Sequence, residues 1–146
     1  MGSRRREPKQ LRRGKLFHKL IQDAFADPND PTFGAEKSVK FEYPPNPNTV
    51  TRSGRIDVYW DMPDDSGACI FEIKATNWDR VKYRRSLLGA HRRQLMKYVD
   101  QFLFLRNMSV VASLIYPYKP TGAGLVQEIE DYMGEWAIQV MWYYDQ

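Results

Sequence analysis

Asp57, Glu72 and Lys74 are the residues of this chain whose types and spacing could do chemistry. Asp57 lies in Gly54-Arg-Ile-Asp-Val58, and Glu72 and Lys74 lie in Phe71-Glu-Ile-Lys-Ala75. Both runs are short and rich in β-branched residues, which fit strands. Alternate side chains on a strand share a face, so Glu72 and Lys74 project together while Ile73 projects into a core. Between the runs, Asp61-Met-Pro-Asp-Asp-Ser-Gly67 is polar and contains Pro and Gly. Such a stretch can reverse the chain, so the strands are expected to form a hairpin with Asp57 beside Glu72. Two adjacent carboxylates repel each other unless a hard cation sits between them. Mg²⁺ takes one or two protein carboxylates together with phosphate oxygens and waters. With an ammonium alongside, the set reads as a metal-dependent phosphodiesterase site that activates water.

Alternating charge on a strand face is ordinarily solvated surface. The surroundings of Glu72 point elsewhere: Cys69-Ile-Phe-Glu-Ile-Lys-Ala75 is too apolar for an edge and reads as a central strand. Charges at the end of a largely buried element need partners or a metal.

The succession of Asp57 and then Glu72-Ile73-Lys74 resembles the core motif of the PD-(D/E)XK nuclease superfamily, the restriction-endonuclease-like fold. Ile56 stands where the Pro of that motif's name would be, a departure that members of the superfamily often show. Gln94-Leu-Met-Lys-Tyr98 is similar to the Gln-x-x-x-Tyr motif of the RecB-type branch, and a helical i, i+4 pair shares one face. Upstream, Gly14-Lys-Leu-Phe-His18 resembles the Gly-x-x-x-His element with which that branch supplies an extra metal-binding histidine.

The resemblance implies Asp57 and Glu72 as ligands of Mg²⁺ or Mn²⁺, with the Ile73 carbonyl and His18 completing the set. It implies that Lys74 orients or deprotonates the attacking water, that Gln94 and Tyr98 contact the substrate backbone or Lys74, and that the product carries a 5′-phosphate. Lysine at its ordinary pKa is a poor base at neutral pH, so either that pKa is lowered or the role is electrostatic. Both histidines carry a second reading. His18, among Leu16, Phe17, Leu20 and Ile21, also fits a helix-surface or satisfied core position. His91 shares a helical face with Gln94 and Tyr98, and reads either as a substrate contact or as a solvated position.

These residues need a scaffold, and at 146 residues the chain has room for one domain, assigned to residues 9–146. Residues 1–8 read as a flexible basic arm, in which Met1-Gly-Ser3 has the look of an added leader on a natural chain that extends upstream. Helical spacing of Leu16, Leu20, Ile21, Ala24 and Phe25 predicts a first helix over 11–25, which Pro28 ends. Val39-Lys-Phe-Glu-Tyr43 alternates as a strand, with Pro44-Pro-Asn-Pro-Asn48 as a rigid extended loop after it. Residues 77–85 are basic and irregular or helical. A long helix over 87–105 carries the stripe Leu95, Tyr98, Val99, Phe102 and Leu105. Residues 109–116 form a nearly continuous apolar strand, covered on both faces. A helix over 125–133 and a last strand over 136–144 complete the order helix, three strands, helix, strand, helix, strand. This order is similar to the α/β core of the restriction-endonuclease-like fold, and the resemblance implies a mixed central sheet flanked by helices.

Charge is asymmetric although the net value is only +4. Arg4, Arg5, Arg6, Lys9, Arg12, Arg13, Lys15 and Lys19 crowd the start, the first three suiting a solubilising arm. Arg80, Lys82, Arg84, Arg85, Arg92, Arg93 and Lys97 form a second cluster that begins just after Lys74, placed to neutralise phosphates along a nucleic acid. Within it Trp78 and Tyr83 could stack on bases or pack against the fold. One cysteine, Cys69, excludes a disulfide framework and a cysteine-based zinc site, and makes a reducing cytosol the expected place of action. No signal peptide and no membrane-spanning stretch is visible.

The combined expectation is a Mg²⁺- or Mn²⁺-dependent nuclease acting on DNA in preference to RNA, at home in phage, mobile-element, repair or toxin proteins. A toxin domain would meet an acidic immunity protein on its basic face. Two other classes stay open. One is a catalytically silent nucleic-acid-binding module of the same fold. The other is a protein-interaction domain whose acidic Glu128, Glu130, Asp131 and Glu135 and aromatic last strand bind a partner.

Overall fold

Phe17 and Ile21 are four positions apart, the separation that returns a helix to one face, and both are buried on α1, Lys9–Phe25. The computed structural model describes residues 8–25, 33–41, 52–62, 67–105 and 109–145. After α1 come three strands, β1 (Phe33–Phe41), β2 (Arg52–Asp61) and β3 (Gly67–Ile73), then α2 (Arg84–Asp100), β4 (Ser109–Tyr116), α3 (Leu125–Gly134) and β5 (Ile138–Trp142). A 3₁₀ turn at Trp78–Arg80 precedes α2, and a π turn at Gln101–Leu105 follows it.

The strands form one mixed sheet in the order β1-β2-β3-β4-β5. β1 with β2 and β2 with β3 are antiparallel; β3 with β4 and β4 with β5 are parallel. Each parallel step requires a crossover, which α2 and α3 supply. β3 is therefore the central strand, as its apolar character predicts.

Alternation along the strands divides the core in two. Ile70 of β3 with Leu114 and Tyr116 of β4 packs against Leu88 and Leu95 of α2, Phe102 of the π turn, and Ile129 and Met133 of α3. On the opposite face Val58, Ile73 and Ile115 meet Phe17 and Ile21 of α1. Helices thus cover both faces. No helix among the described residues is long and apolar enough to cross a membrane.

Three elements differ in extent from expectation, and a fourth, β4, in its cover. β1 begins at Phe33, because pairing from Phe33↔Trp60 to Phe41↔Arg52 stabilises the segment across the weak strand formers Gly34 and Ser38. Tyr43 and Pro44-Pro-Asn-Pro-Asn48 lie outside the described residues. α2 starts at Arg84, with Leu87 N–H donating to the Tyr83 carbonyl, and yields to the π turn after Asp100. The buried stripe of Leu95, Tyr98, Val99 and Phe102 runs on through that change of winding. β5 is shorter than 136–144, since Trp136 and Ala137 still donate to the carbonyls of Met133 and Gly134 at the end of α3. β4 is covered from Ala112 onward, whereas Ser109 and Val111 at its start are exposed.

The strands enter the sheet at one close approach. A Cβ built on Gly67 would lie 2.5 Å from the carbonyl oxygen of Ser109, a backbone atom that cannot yield without moving β4. Gly67→Ala is expected to lower stability by about 1–3 kcal/mol in urea unfolding. Gly134→Ala, with nothing within 4 Å of the added methyl, should leave the midpoint nearly unchanged.

Candidate functional site

The β2–β3 ladder ends at the pair Val58↔Phe71, which puts Asp57 and Glu72 at the next position, just past the last paired residues. There Asp57 Oδ2 accepts a hydrogen bond from the Ile73 backbone N–H at 2.8 Å. A side chain thereby takes the bond a strand neighbour would otherwise supply. On the other side of the chain, Lys74 N–H donates to the Ile115 carbonyl at 2.9 Å, so Lys74 follows the strand's path one residue beyond its end. Alternation holds through the motif: Ile73 is buried against α1, and Lys74 Nζ donates to Gln94 Oε1 of α2. Of the two alternatives expected of Gln94, substrate backbone or Lys74, the contact with Lys74 is present.

Glu72 is 2 % exposed, and its Oε1 has no hydrogen-bond partner. Burial, and next the charge of Asp57, push its pKa up to about 8, against the opposing pull of Lys74. Without a cation the carboxyl keeps its proton at neutral pH. The unpartnered oxygen and the adjacent Asp57 are what a hard divalent ion would satisfy.

Two side chains of α1 hold Asp57 from the other direction. His18 Nδ1 lies 3.6 Å from Asp57 Oδ1, and Gln22 Nε2 donates to the Asp57 carbonyl at 3.1 Å. Gln22 is absent from the sequence-derived site; its only signal is a position one helical turn after His18. Of the expected ligand set, Asp57 and Glu72 come together and His18 lies against Asp57, while the Ile73 N–H, on the residue whose carbonyl is the expected ligand, donates to Asp57. Among the described residues no three His, Cys, Asp or Glu side chains form a group that could hold a metal ion.

Several other site residues have different surroundings from those expected. Tyr98 is buried, and its hydroxyl donates to the Arg55 carbonyl at 2.8 Å. It borders the carboxylates closely enough for Glu72, after desolvation, to raise its pKa. Its place is as a strut between α2 and β2, because burial of the ring outweighs the pull of solvent on one hydroxyl. His91 is buried rather than solvated, with Nδ1 2.8 Å from the Tyr116 hydroxyl and its ring packed against Trp78 and Tyr116. Trp78 is buried at the 3₁₀ turn and packs, whereas Tyr83 is 78 % exposed. Arg80, Lys82, Arg84, Arg85, Arg93 and Lys97 are exposed. Arg92 departs from them, with its guanidinium carbon 4.2 Å from the centre of the Trp136 ring. Cation–π attraction and a half-buried stem direct it to that aromatic wall.

No protein-family model matches this chain, and comparison with curated proteins finds no match.

Two titrations of opposite sign follow. Desolvation, then the charge of Lys74, lower His91 to about 4 from an ordinary 6.5. The fold therefore holds it neutral, and its contribution is complete above pH 6.5 and lost as pH falls toward 4, on the order of 3 kcal/mol. Tm should drop over that interval, and His91→Gln should flatten the drop while lowering Tm at neutral pH. Glu72, raised above its ordinary 4.5, contributes stability at and below that pH and loses it as pH rises through about 8. In metal-free buffer Glu72→Gln should raise Tm at pH 8 more than at pH 4.5. Equal effects at the two pH values would contradict the buried-carboxyl account.

Proposed function

We propose that this chain is a divalent-metal-dependent nuclease of the restriction-endonuclease-like type, hydrolysing phosphodiester bonds in DNA. The observation that carries the reading is Glu72, a buried carboxyl group with an unpartnered oxygen, held beside Asp57 with Lys74 two residues on, one position past the end of β3. The order of the elements and the mixed sheet with β3 at its centre support the same fold reading.

Asp57 and Glu72 are the residues that would hold Mg²⁺ or Mn²⁺, with waters filling the rest of its shell. When bound, such an ion lowers the pKa of a coordinated water and neutralises charge that develops on the phosphate. Lys74, oriented by Gln94, places an ammonium where the scissile phosphate arrives. His18 and Gln22 fix the position of Asp57, and Tyr98 fixes α2 against β2. The exposed Arg80, Lys82, Arg84, Arg85, Arg93 and Lys97 guide the phosphate backbone to the site. A second reading, a catalytically silent nucleic-acid-binding module of the same fold, is favoured because no three His, Cys, Asp or Glu side chains among the described residues form a group that could hold a metal ion.

Supercoiled, linear duplex and single-stranded DNA, with RNA as control, are to be incubated with Mg²⁺, Mn²⁺ or EDTA. Cleavage should require metal, and Lys74→Ala should slow it roughly 100-fold or more while DNA affinity holds and the chain stays folded. Salt-sensitive binding without cleavage of any substrate would transfer the assignment to the silent module. Arg84→Ala combined with Arg85→Ala should weaken binding irrespective of sequence, and reduce the slope of log affinity against log salt by about 1–2.

A further inference from the structure

Immediately beyond Lys74 the chain enters the wall of an open cleft of about 740 Å³. Its volume falls within the roughly 300–1,000 Å³ of a small-molecule site. One side is α1, where Leu16 and Leu20 are 67 % and 44 % exposed. The other side is the segment after β4 with the C-terminal turn, where Tyr118 is 61 % exposed and stacks on Tyr144 at 4.7 Å and 22°. Trp78 also lines the cleft, and its indole N–H is buried without an acceptor.

We infer that this cleft is a nucleobase subsite, which takes an unpaired base of the strand whose phosphate lies at Lys74. The inference rests on the nucleic-acid reading of the adjoining site and adds a substrate class to it, a strand with at least one unpaired base.

Three observations select this occupant. Tyr118 has one ring face on Tyr144 and is otherwise largely open, so a planar ring laid on it extends an existing stack, and stacking accepts any base. The charges of the cleft balance, with Arg13 and Lys119 against Asp79 and Asp145. Both acids also accept backbone hydrogen bonds, Asp79 from Thr121 at 2.9 Å and Asp145 from Lys119 at 2.6 Å, which pin the aromatic wall. A balanced, apolar-walled cleft suits a neutral base rather than a phosphate, while the phosphates have the exposed arginines outside. Finally, the reach is short: Ala75, Thr76 and Asn77 span at most about 10 Å from Lys74, so a base of a neighbouring nucleotide can enter. Bases in an intact duplex have both faces stacked and are excluded unless one is extruded.

The test is fluorescence anisotropy in EDTA with a short labelled single strand and with the matching blunt duplex, with cleavage in Mg²⁺ measured in parallel. Tyr118→Ala should weaken single-strand binding roughly tenfold, leaving duplex binding and Tm in place, and Tyr118→Trp should restore it. Unchanged single-strand affinity in Tyr118→Ala, or an equal loss on both substrates, would overturn the subsite. Displacement of the strand by detergent monomers would do so as well, assigning the cleft to an acyl chain. The two readings fail separately. Metal-dependent cleavage with Tyr118-independent binding removes the subsite alone, and Tyr118-dependent binding without cleavage removes the nuclease alone.

Discussion

The carboxylate of Glu72 lies inside the protein beside a second carboxylate, and most of the architecture around it serves to keep it there. A charge so placed is costly, by several kcal/mol when nothing compensates it. The fold meets the cost in part by leaving the proton on Glu72, in part through the Lys74 ammonium. Asp57 is occupied differently, accepting from the Ile73 N–H and lying against His18. What is left over, a buried oxygen with no partner, is the chemical potential of the site.

That arrangement depends on where β3 sits. As the central strand, it is paired on one side with β2, which delivers Asp57, and on the other with β4, whose Ile115 carbonyl holds Lys74 in line. The two helical layers then act from opposite faces. α1 buries Phe17 and Ile21 against Ile73 and so brings His18 and Gln22 to Asp57. α2 buries Leu95 and Tyr98 and so brings Gln94 to Lys74. Apolar contacts supply the placement, and polar contacts the final orientation.

Beneath α2 lies a cluster that has no chemical role in the proposed reaction yet fixes the site's flank. Trp78, His91 and Tyr116 are in mutual ring contact, Trp142 joins them through Tyr116, and the Tyr116 hydroxyl is bonded to His91. Edge-to-face and tilted packing of this kind has definite geometry. It ties the 3₁₀ turn after Lys74 to α2, β4 and β5 at once, and the outer surface of that same turn borders the cleft proposed to hold a base.

The sequence by itself determined the order of elements, the central position of β3, and the meeting of Asp57, Glu72 and Lys74. Periodicity and local pairing encode these: alternate residues share a strand face, and a short polar reversal returns one strand beside another. Gln94 beside Lys74 was legible in the same way, from an i, i+4 pair on a helix. The tertiary structure alone decided which polar side chains remain available. Tyr98 and His91 belong to the same helical neighbourhood as Gln94, yet both are buried, because α2 is packed against the sheet with that side inward. Arg92 is one of a run of basic residues whose differing fates no periodicity distinguishes, and Trp136, adjacent in space and distant in sequence, captures it. Gln22 and the cleft of Tyr118 and Tyr144 were invisible for the same reason. Each is made by segments that meet only when α1 and the chain beyond β4 fold over the end of β3, and contacts of that range leave no local pattern in the sequence.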